Sequence, residues 1–276
     1  MKLAIIPIIC GAFKFFWLNR YQFYYLAFPV ITILAIFSTL LTLLFPDNPS
    51  YAPEFKFLDQ HNFIIRETHF FSYDDFSWIF LGDLFLFILI IFFFPLYSVA
   101  WHRFFLVPEE DINVLGCYNW RKRHSLFLWL NLKIFLLMIP ISGFAVLLII
   151  ASTIFFPIVS LAMIFFLTIC YCRFSLWLPA AALDKKLDLR DTFALTRGNG
   201  VRLALILIIT GLLAGILDSI AISLITYASD PLSAIGRLTQ NLLTNIALYS
   251  ILYAGKAIGI TALSISYKQL TESCDS

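Results

Sequence analysis

Long runs of apolar residues dominate this chain, and charged residues stand mainly between the runs. A helix needs about twenty apolar residues to cross a bilayer. The runs therefore predict an all-α membrane fold with six transmembrane helices, forming one polytopic domain over residues 1–276. The predicted spans are residues 24–45, 76–100, 126–150, 155–179, 201–227 and 242–267.

The third and fourth spans come from one apolar stretch that is too long for a single crossing. No charged residue lies between Lys133 and Arg173, so the chain must cross twice there. We place the break between Ala151 and Pro157, where polar, β-branched and proline residues cluster.

Two shorter helices are predicted at the membrane surface. Residues 2–20 combine phenylalanines and a tryptophan with basic residues, which is typical of an interfacial helix. Between spans four and five, Asp188 is a good N-cap for a cytoplasmic elbow helix over residues 190–196, and Gly198 stands where a C-cap glycine belongs.

The basic residues set the predicted orientation. Fourteen of the 19 lysines and arginines lie on one set of span flanks, which includes both termini, and three lie on the opposite flanks. Because cytoplasmic loops carry the excess of cations, both termini are predicted to be cytoplasmic.

Composition agrees with the apolar pattern. The chain is 61% hydrophobic and 13% charged, with a mean hydropathy of +0.89, which excludes an ordinary water-soluble domain. The net charge of +2 is too small to indicate a nucleic-acid partner, and the five cysteines give no disulfide framework. The outside loop, residues 46–75, holds His61 and His69 without a clear third ligand, so we predict neither a metal site nor a cofactor.

Five ionisable residues fall inside the predicted spans. Lys133, Arg173 and Lys256 lie in the cytoplasmic half, whereas Asp83 and Asp218 lie in the outer half. The cations could snorkel to the interface, form a pocket for an anionic lipid headgroup, or, in the case of Lys256, belong to a conduction path from Asp218.

Arg197 and Arg202 flank the glycines that follow the elbow helix, where exposed backbone N–H groups could hold a phosphate. We favour the simpler interpretation, a helix cap with cationic anchoring. Small residues also recur four apart in the last two spans and predict close helix packing, so that leucine at Gly215 or Gly259 should destabilise the fold. These packing residues are Gly211, Gly215, Gly255 and Gly259, with Ser219 and Ser223.

Catalytic motifs are absent from the sequence. Asp83 and Asp218 could suggest an intramembrane aspartyl protease, but only Gly82 and Asp83 form the glycine–aspartate pair that such enzymes use. No zinc-protease, serine-hydrolase or P-loop pattern occurs. This favours a non-enzymatic role.

A family resemblance emerges from Arg173, residues 178–184 (LPAAALD), residues 196–199 and the ending 266–270. These residues resemble uncharacterised bacterial inner-membrane proteins that are similar to the membrane domain fused to some glycerophosphodiester phosphodiesterases. The resemblance implies a multi-pass protein of the bacterial inner membrane. The phosphodiesterase domain itself has no counterpart here, so its activity does not transfer.

We therefore expect a non-enzymatic integral membrane protein that engages anionic lipids or membrane partners, including a second copy of itself. The alternative is a small permease or channel, and an intramembrane enzyme is third. The permease hypothesis predicts a polar path lined by Asp83, Asp218, Asn131, Thr210 and Lys256.

Overall fold

The computed structural model describes residues 2–44, 73–107, 119–151, 156–185, 187–227 and 234–275. All regular secondary structure in these ranges is helical. The helices are α1 Ile5–Leu18, α2 Arg20–Leu44, α3 Tyr73–Leu106, α4 Lys122–Ala151, α5 Phe156–Ser175, α6 Trp177–Ala182, α7 Leu189–Leu195, α8 Gly200–Tyr227 and α9 Ala234–Asp275.

Five segments within the described helices are long and apolar enough to cross a membrane. They are Arg20–Leu44, Phe80–Leu106, Ala162–Ala182, Gly200–Ala221 and Leu238–Glu272. These segments confirm an all-helical protein built for a membrane. The predicted third span lies on α4, which packs along α5 and α6, and the total of six spans stays a prediction.

Apolar side chains that face outward are the second sign of a membrane environment. On α8, Leu212, Ile216 and Ile220 are 61%, 55% and 53% exposed. A water-soluble monomer rarely exposes a continuous apolar face of this kind, whereas lipid covers it without cost.

Several predicted boundaries differ from the observed ones. Helix α3 continues past residue 100 to Leu106, and α9 begins at Ala234, ahead of the predicted residue 242. The break between spans three and four is bounded by the end of α4 and the start of α5, but residues 152–155 lie outside the described chain. Most of the predicted outside loop, with His61 and His69, also lies outside it.

The N-terminal helix is a short apolar helix, as predicted, but one of its faces is buried in the protein. Ile8 and Ala12 have no exposed surface. The Phe15 ring packs edge-on against the rings of Trp101 and Phe105, with ring centroids 6.0 and 4.9 Å apart. The sequence pattern of aromatic and basic residues did not reveal this packing, because it depends on α3.

The described contacts divide the chain into two compact units. Unit 1 comprises Met1–Leu26, Pro95–Gly215 and Ala254–Ser276, and unit 2 comprises Ala27–Phe94 and Ile216–Tyr253.

Unit 2 joins α2 to α3 and α9. The Phe37 and Phe85 rings have centroids 4.8 Å apart, and the Asn245 amide donates to Thr39 Oγ1 at 3.0 Å. A Cβ added to Gly82 would lie 2.7 Å from Leu41 Cδ2, so α2 and α3 approach closely at this glycine.

Unit 1 contains a buried polar seam between α3 and α9. The Trp101 indole donates to the Ala257 carbonyl at 3.0 Å and to Thr261 Oγ1 at 2.9 Å. His102 Nδ1 lies 2.7 Å from Ser264 Oγ. Ser264 Oγ also lies 2.9 Å from the Ile260 carbonyl oxygen on its own helix. These bonds fix the rotation of α3 against α9 at one end of unit 1.

Candidate functional site

One end of unit 1 gathers most of the basic residues that the orientation argument assigns to the cytoplasm. The chain enters this end on α3 and α6 and leaves it on α4 and α8, so the residues that meet here are far apart in sequence. The described arginines of this end are Arg103, Arg121, Arg123, Arg173, Arg190, Arg197 and Arg202. What distinguishes them is whether a partner neutralises each charge.

Asp184 neutralises two of these arginines at once. It follows α6 with a positive φ of 59°. The Lys185 N–H donates to the Ala180 carbonyl at 2.9 Å and the Asp184 N–H donates to the Ala181 carbonyl at 3.1 Å, which is the Schellman pattern that ends helices at a left-handed residue. Glycine usually occupies this position, and aspartate tolerates it better than most residues.

The Asp184 side chain explains why glycine is not used. Its Oδ2 lies 3.5 Å from Arg103 Nη1 and 3.6 Å from Arg123 Nη2. Arg103 Nη1 also donates to the Ala182 carbonyl at 2.8 Å, which satisfies one of the free carbonyls at the end of α6. A single carboxylate therefore ties α3 and α4 to the end of α6.

Asn199 and Arg202 hold the segment that precedes α1. Asn199 Oδ1 accepts the Leu3 N–H at 2.9 Å, and Arg202 Nη1 donates to the Leu3 carbonyl at 2.9 Å. Leu3 itself is buried at 2% exposure in the core of unit 1. The Arg202 charge predicted to flank a phosphate site is thus engaged with a backbone carbonyl, whereas Arg197 is exposed.

His124 contributes to the start of α4. Its Nδ1 accepts the Arg121 N–H at 2.9 Å, which requires a neutral imidazole. Burial, followed by the neighbouring charges of Arg123 and Arg121, lowers the pKa of His124 from 6.5 to about 4. The ring therefore remains a hydrogen-bond acceptor at neutral pH.

Helix α7 is a short helix at the place where the sequence predicts the elbow helix. It follows Asp188 and runs from Leu189 to Leu195, and the Asp191 carboxylate accepts the Asp188 N–H at 3.2 Å. Gly198 has a φ of +75°, a left-handed conformation that glycine adopts more readily than residues with a side chain. The position of α7 on the cytoplasmic surface of the membrane stays a prediction.

Arg173 is the most unusual cation of this end. It lies at the end of α5, and its Cζ is 5.3 Å from the centroid of the Phe193 ring on α7. On another side the guanidinium lies against Gly200, where an added Cβ would be 2.6 Å from Nη2 and 2.8 Å from Cζ. Arg173 Nε is buried and has no acceptor among the described residues.

Gly200 is also the first residue of α8. The first N–H groups of a helix have no acceptor within the helix, and they give this end a partial positive charge. Arg173 therefore places a full positive charge at the positive end of a helix, with Arg197 and Arg202 nearby in sequence. That arrangement is electrostatically unfavourable by itself and attracts an anion.

The other predicted ionisable residues lie in separate surroundings. Lys133 is exposed, and its Nζ lies 5.4 Å from the centroid of the Trp129 ring on the same helix. Lys256 is half-buried on α9. A shared pocket of Lys133, Arg173 and Lys256 stays a prediction. In unit 2, Asp83 is exposed and Asp218 half-exposed.

Two residues of the predicted permease path use their polar groups locally. The Thr210 hydroxyl donates to the Ile206 carbonyl at 2.8 Å, and the Asn131 amide donates to the Phe127 carbonyl at 3.3 Å. Bonds of this kind to the preceding turn are common for polar residues in apolar helices. They provide no observation in favour of a path, which stays a prediction.

The predicted glycine stripes differ from one another in the space around them. Gly211 and Gly215 are exposed, and Gly255 and Gly259 are half-buried. A Cβ at Gly211, Gly215 or Gly259 meets no heavy atom within 4 Å in the described chain. The close helix approach expected at those three positions is therefore not seen there, while Gly82, considered only for its aspartate neighbour, does pack closely.

Sequence reasoning missed the Asp184 bridge, the Leu3 contacts and the polar seam of Trp101 and His102. For Asp184, the local sequence holds an acid directly after an alanine-rich segment, and residues 196–199 hold a turn with Gly198. In the structure these two segments end α6 and begin α8. The other contacts join residues far apart in sequence and left no local pattern.

No group of three or more potential metal-ligating side chains occurs among the described residues. Comparison of the chain with protein-family models, with curated proteins and with solved structures gives no match.

Proposed function

We propose that this chain is a non-enzymatic integral membrane protein that binds the anionic headgroup of a membrane lipid at Arg173 and the first turn of α8. The bacterial inner membrane is its proposed location, with both termini and this site on the cytoplasmic side. The observation that carries the proposal is the buried Arg173 Nε at the positive end of a helix, which has no acceptor in the part of the chain that the structure describes.

Electrostatics supports an anion at this position. A cation near a helix N-terminus destabilises the protein by about 0.3–1 kcal/mol, whereas an anion at the same place stabilises it by a similar amount. Burial of part of a guanidinium without an acceptor adds a desolvation cost of about 1–3 kcal/mol or more. A bound anion removes both costs, because it accepts from the guanidinium and from the free N–H groups of α8.

The nearby carboxylates are engaged elsewhere. Asp184 bridges Arg103 and Arg123. Asp191 accepts the Asp188 N–H at the start of α7. Among the described residues, no acid forms a salt bridge with Arg173.

A lipid is the anion source that the surroundings favour. Arg173 lies in the C-terminal half of the segment Ala162–Ala182, which is apolar enough to span a membrane, and the positive-inside pattern assigns the end of this segment to the cytoplasmic leaflet. Anionic headgroups concentrate at that surface, and basic pockets between transmembrane helices bind them.

The test is lipid binding by the purified protein in a detergent with a sugar headgroup. Phosphatidylglycerol is titrated in and the bound lipid is measured by native mass spectrometry, with diacylglycerol as the uncharged lipid. We expect phosphatidylglycerol to bind in preference to diacylglycerol and Arg173→Gln to weaken its binding about tenfold or more, the cost of a lost charge-assisted hydrogen bond. Arg197→Gln is the matched control, since it removes an exposed cation from the same end.

Gly200→Ala tests the position of the charge while leaving the charge itself in place. The new Cβ overlaps the guanidinium, which must move. We expect this variant to weaken phosphatidylglycerol binding while Arg197→Gln leaves it nearly unchanged. Equal loss of affinity in Arg173→Gln and Arg197→Gln would show a diffuse surface charge and would overturn the proposal.

A further inference from the structure

We infer that the indole N–H of Trp177 is a second donor in the Arg173 site and that the ligand group the two residues hold is a phosphate. The inference rests on the proposed function and names the chemistry of the same site.

Trp177 begins α6 and is 7% exposed. Its Nε1 is buried and finds no acceptor among the described residues, as is also true of Arg173 Nε. Buried indole N–H groups are nearly always paired, and each exception calls for a water or ligand that accepts from it. Trp101 shows the usual situation in this protein, with two acceptors for its indole.

The two unpaired donors belong to one aromatic cluster. The Phe174 ring centroid is 5.5 Å from that of Trp177 and 5.7 Å from that of Phe193. The Arg173 guanidinium in turn lies over Phe193. Arg173 and Trp177 are four residues apart, on either side of the turn that joins α5 to α6.

Two buried donors and a helix start select a particular acceptor. The Arg173 fork, the Trp177 N–H and the first N–H groups of α8 require several oxygen atoms that point in different directions. A carboxylate accepts mainly in the plane of its two oxygens, whereas each free oxygen of a phosphate accepts from directions all around its P–O bond, and a monoester has three such oxygens. Phosphate is also the anion that helix N-termini and arginine recognise most often.

The experiment observes the Trp177 indole directly. The chain has six tryptophans, and ¹⁵N-indole labelling gives one N–H resonance for each in detergent with a sugar headgroup. Trp177→Phe identifies the Trp177 resonance and keeps an aromatic ring in the cluster. The added ligands are phosphatidic acid, phosphatidylglycerol and inorganic phosphate, with chloride at equal ionic strength as the control.

We expect the Trp177 resonance to move downfield with the phosphate-bearing ligands and to stay in place with chloride. The Trp101 resonance, whose indole is already bonded, should not move. Trp177→Phe should bind phosphatidic acid about tenfold more weakly. A response to both phospholipids at low concentration, with inorganic phosphate needed in large excess, identifies the lipid as the source. If inorganic phosphate acts at low concentration and the phospholipids only in large excess, free phosphate is the ligand, and the inference that the site holds a phosphate group still stands.

Failure of this inference differs from failure of the proposed function. If Arg173→Gln weakens lipid binding but the Trp177 resonance does not move and Trp177→Phe binds normally, Trp177 is not a donor and only the inference is overturned. If neither variant changes lipid binding, the proposed function is overturned with it. Circular dichroism of both variants confirms that the helices are retained.

Discussion

Asp184 allows a specific prediction about stability, because its backbone conformation lowers the free energy of unfolding while its side chain raises it. Its φ of 59° is a left-handed conformation that costs most residues about 1–2 kcal/mol. Its carboxylate contacts Arg103 and Arg123 at 3.5 and 3.6 Å. Asparagine, glycine and alanine at this position separate the two contributions.

The expected free energies follow from the geometry. The carboxylate is 55% exposed, so each ion pair is worth at most about 1 kcal/mol and the two together about 1 kcal/mol. Asp184→Asn keeps a residue that tolerates the left-handed region and should lose only that amount. Asp184→Gly also loses the pairs and gains backbone relaxation, but it adds about 0.4–1 kcal/mol of unfolded-chain entropy. Asp184→Ala loses the pairs and tolerates the left-handed conformation less well than aspartate does, for a total loss of about 2 kcal/mol.

The assay is equilibrium unfolding in mixed micelles, followed by far-ultraviolet circular dichroism at low and high salt. The predicted order of stability is wild type, then Asn, then Gly, then Ala. The difference between wild type and Asn should shrink at high salt, because salt screens an exposed pair. If alanine is as stable as glycine, the left-handed conformation is not a constraint and the reasoning is refuted.

Three further predictions use the same unfolding assay. The contribution of His124 to stability should fall by about 1 kcal/mol per pH unit below pH 6.5 and level off near pH 4, because the unfolded chain protonates this histidine at a higher pH than the folded chain does. His124→Gln should remove that part of the pH dependence, and an unchanged pH profile of the variant would contradict the assignment. Trp101→Phe should cost about 1–3 kcal/mol, since the indole loses its bond to the Ala257 carbonyl in a fully buried position; stability equal to wild type would mean that the seam contributes nothing. Gly82→Leu should cost about 1–3 kcal/mol by overpacking, while Gly215→Leu should be neutral because its Cβ has free space in the described chain; the opposite order would restore the original packing prediction.

The sequence by itself determined the class of the protein and its local helix signals. Apolar length predicts a membrane helix because the bilayer thickness is fixed, so all five observed candidate segments overlap predicted spans. The elbow helix was equally predictable, since Asp188, Asp191 and Gly198 act on neighbouring residues. These properties depend on short stretches of chain, which a single sequence contains in full.

Only the tertiary structure decided which charges and glycines matter. Arg173, Arg197 and Lys133 are all cations in or beside apolar helices, yet Arg173 alone of the three lies against Phe193 and Gly200. Spacing along the chain could not reveal this contact, because Gly200 lies far from Arg173 in sequence and is brought to it by the turn through α6 and α7. A charge acquires its role from the groups around it, and those groups meet only when the helices pack.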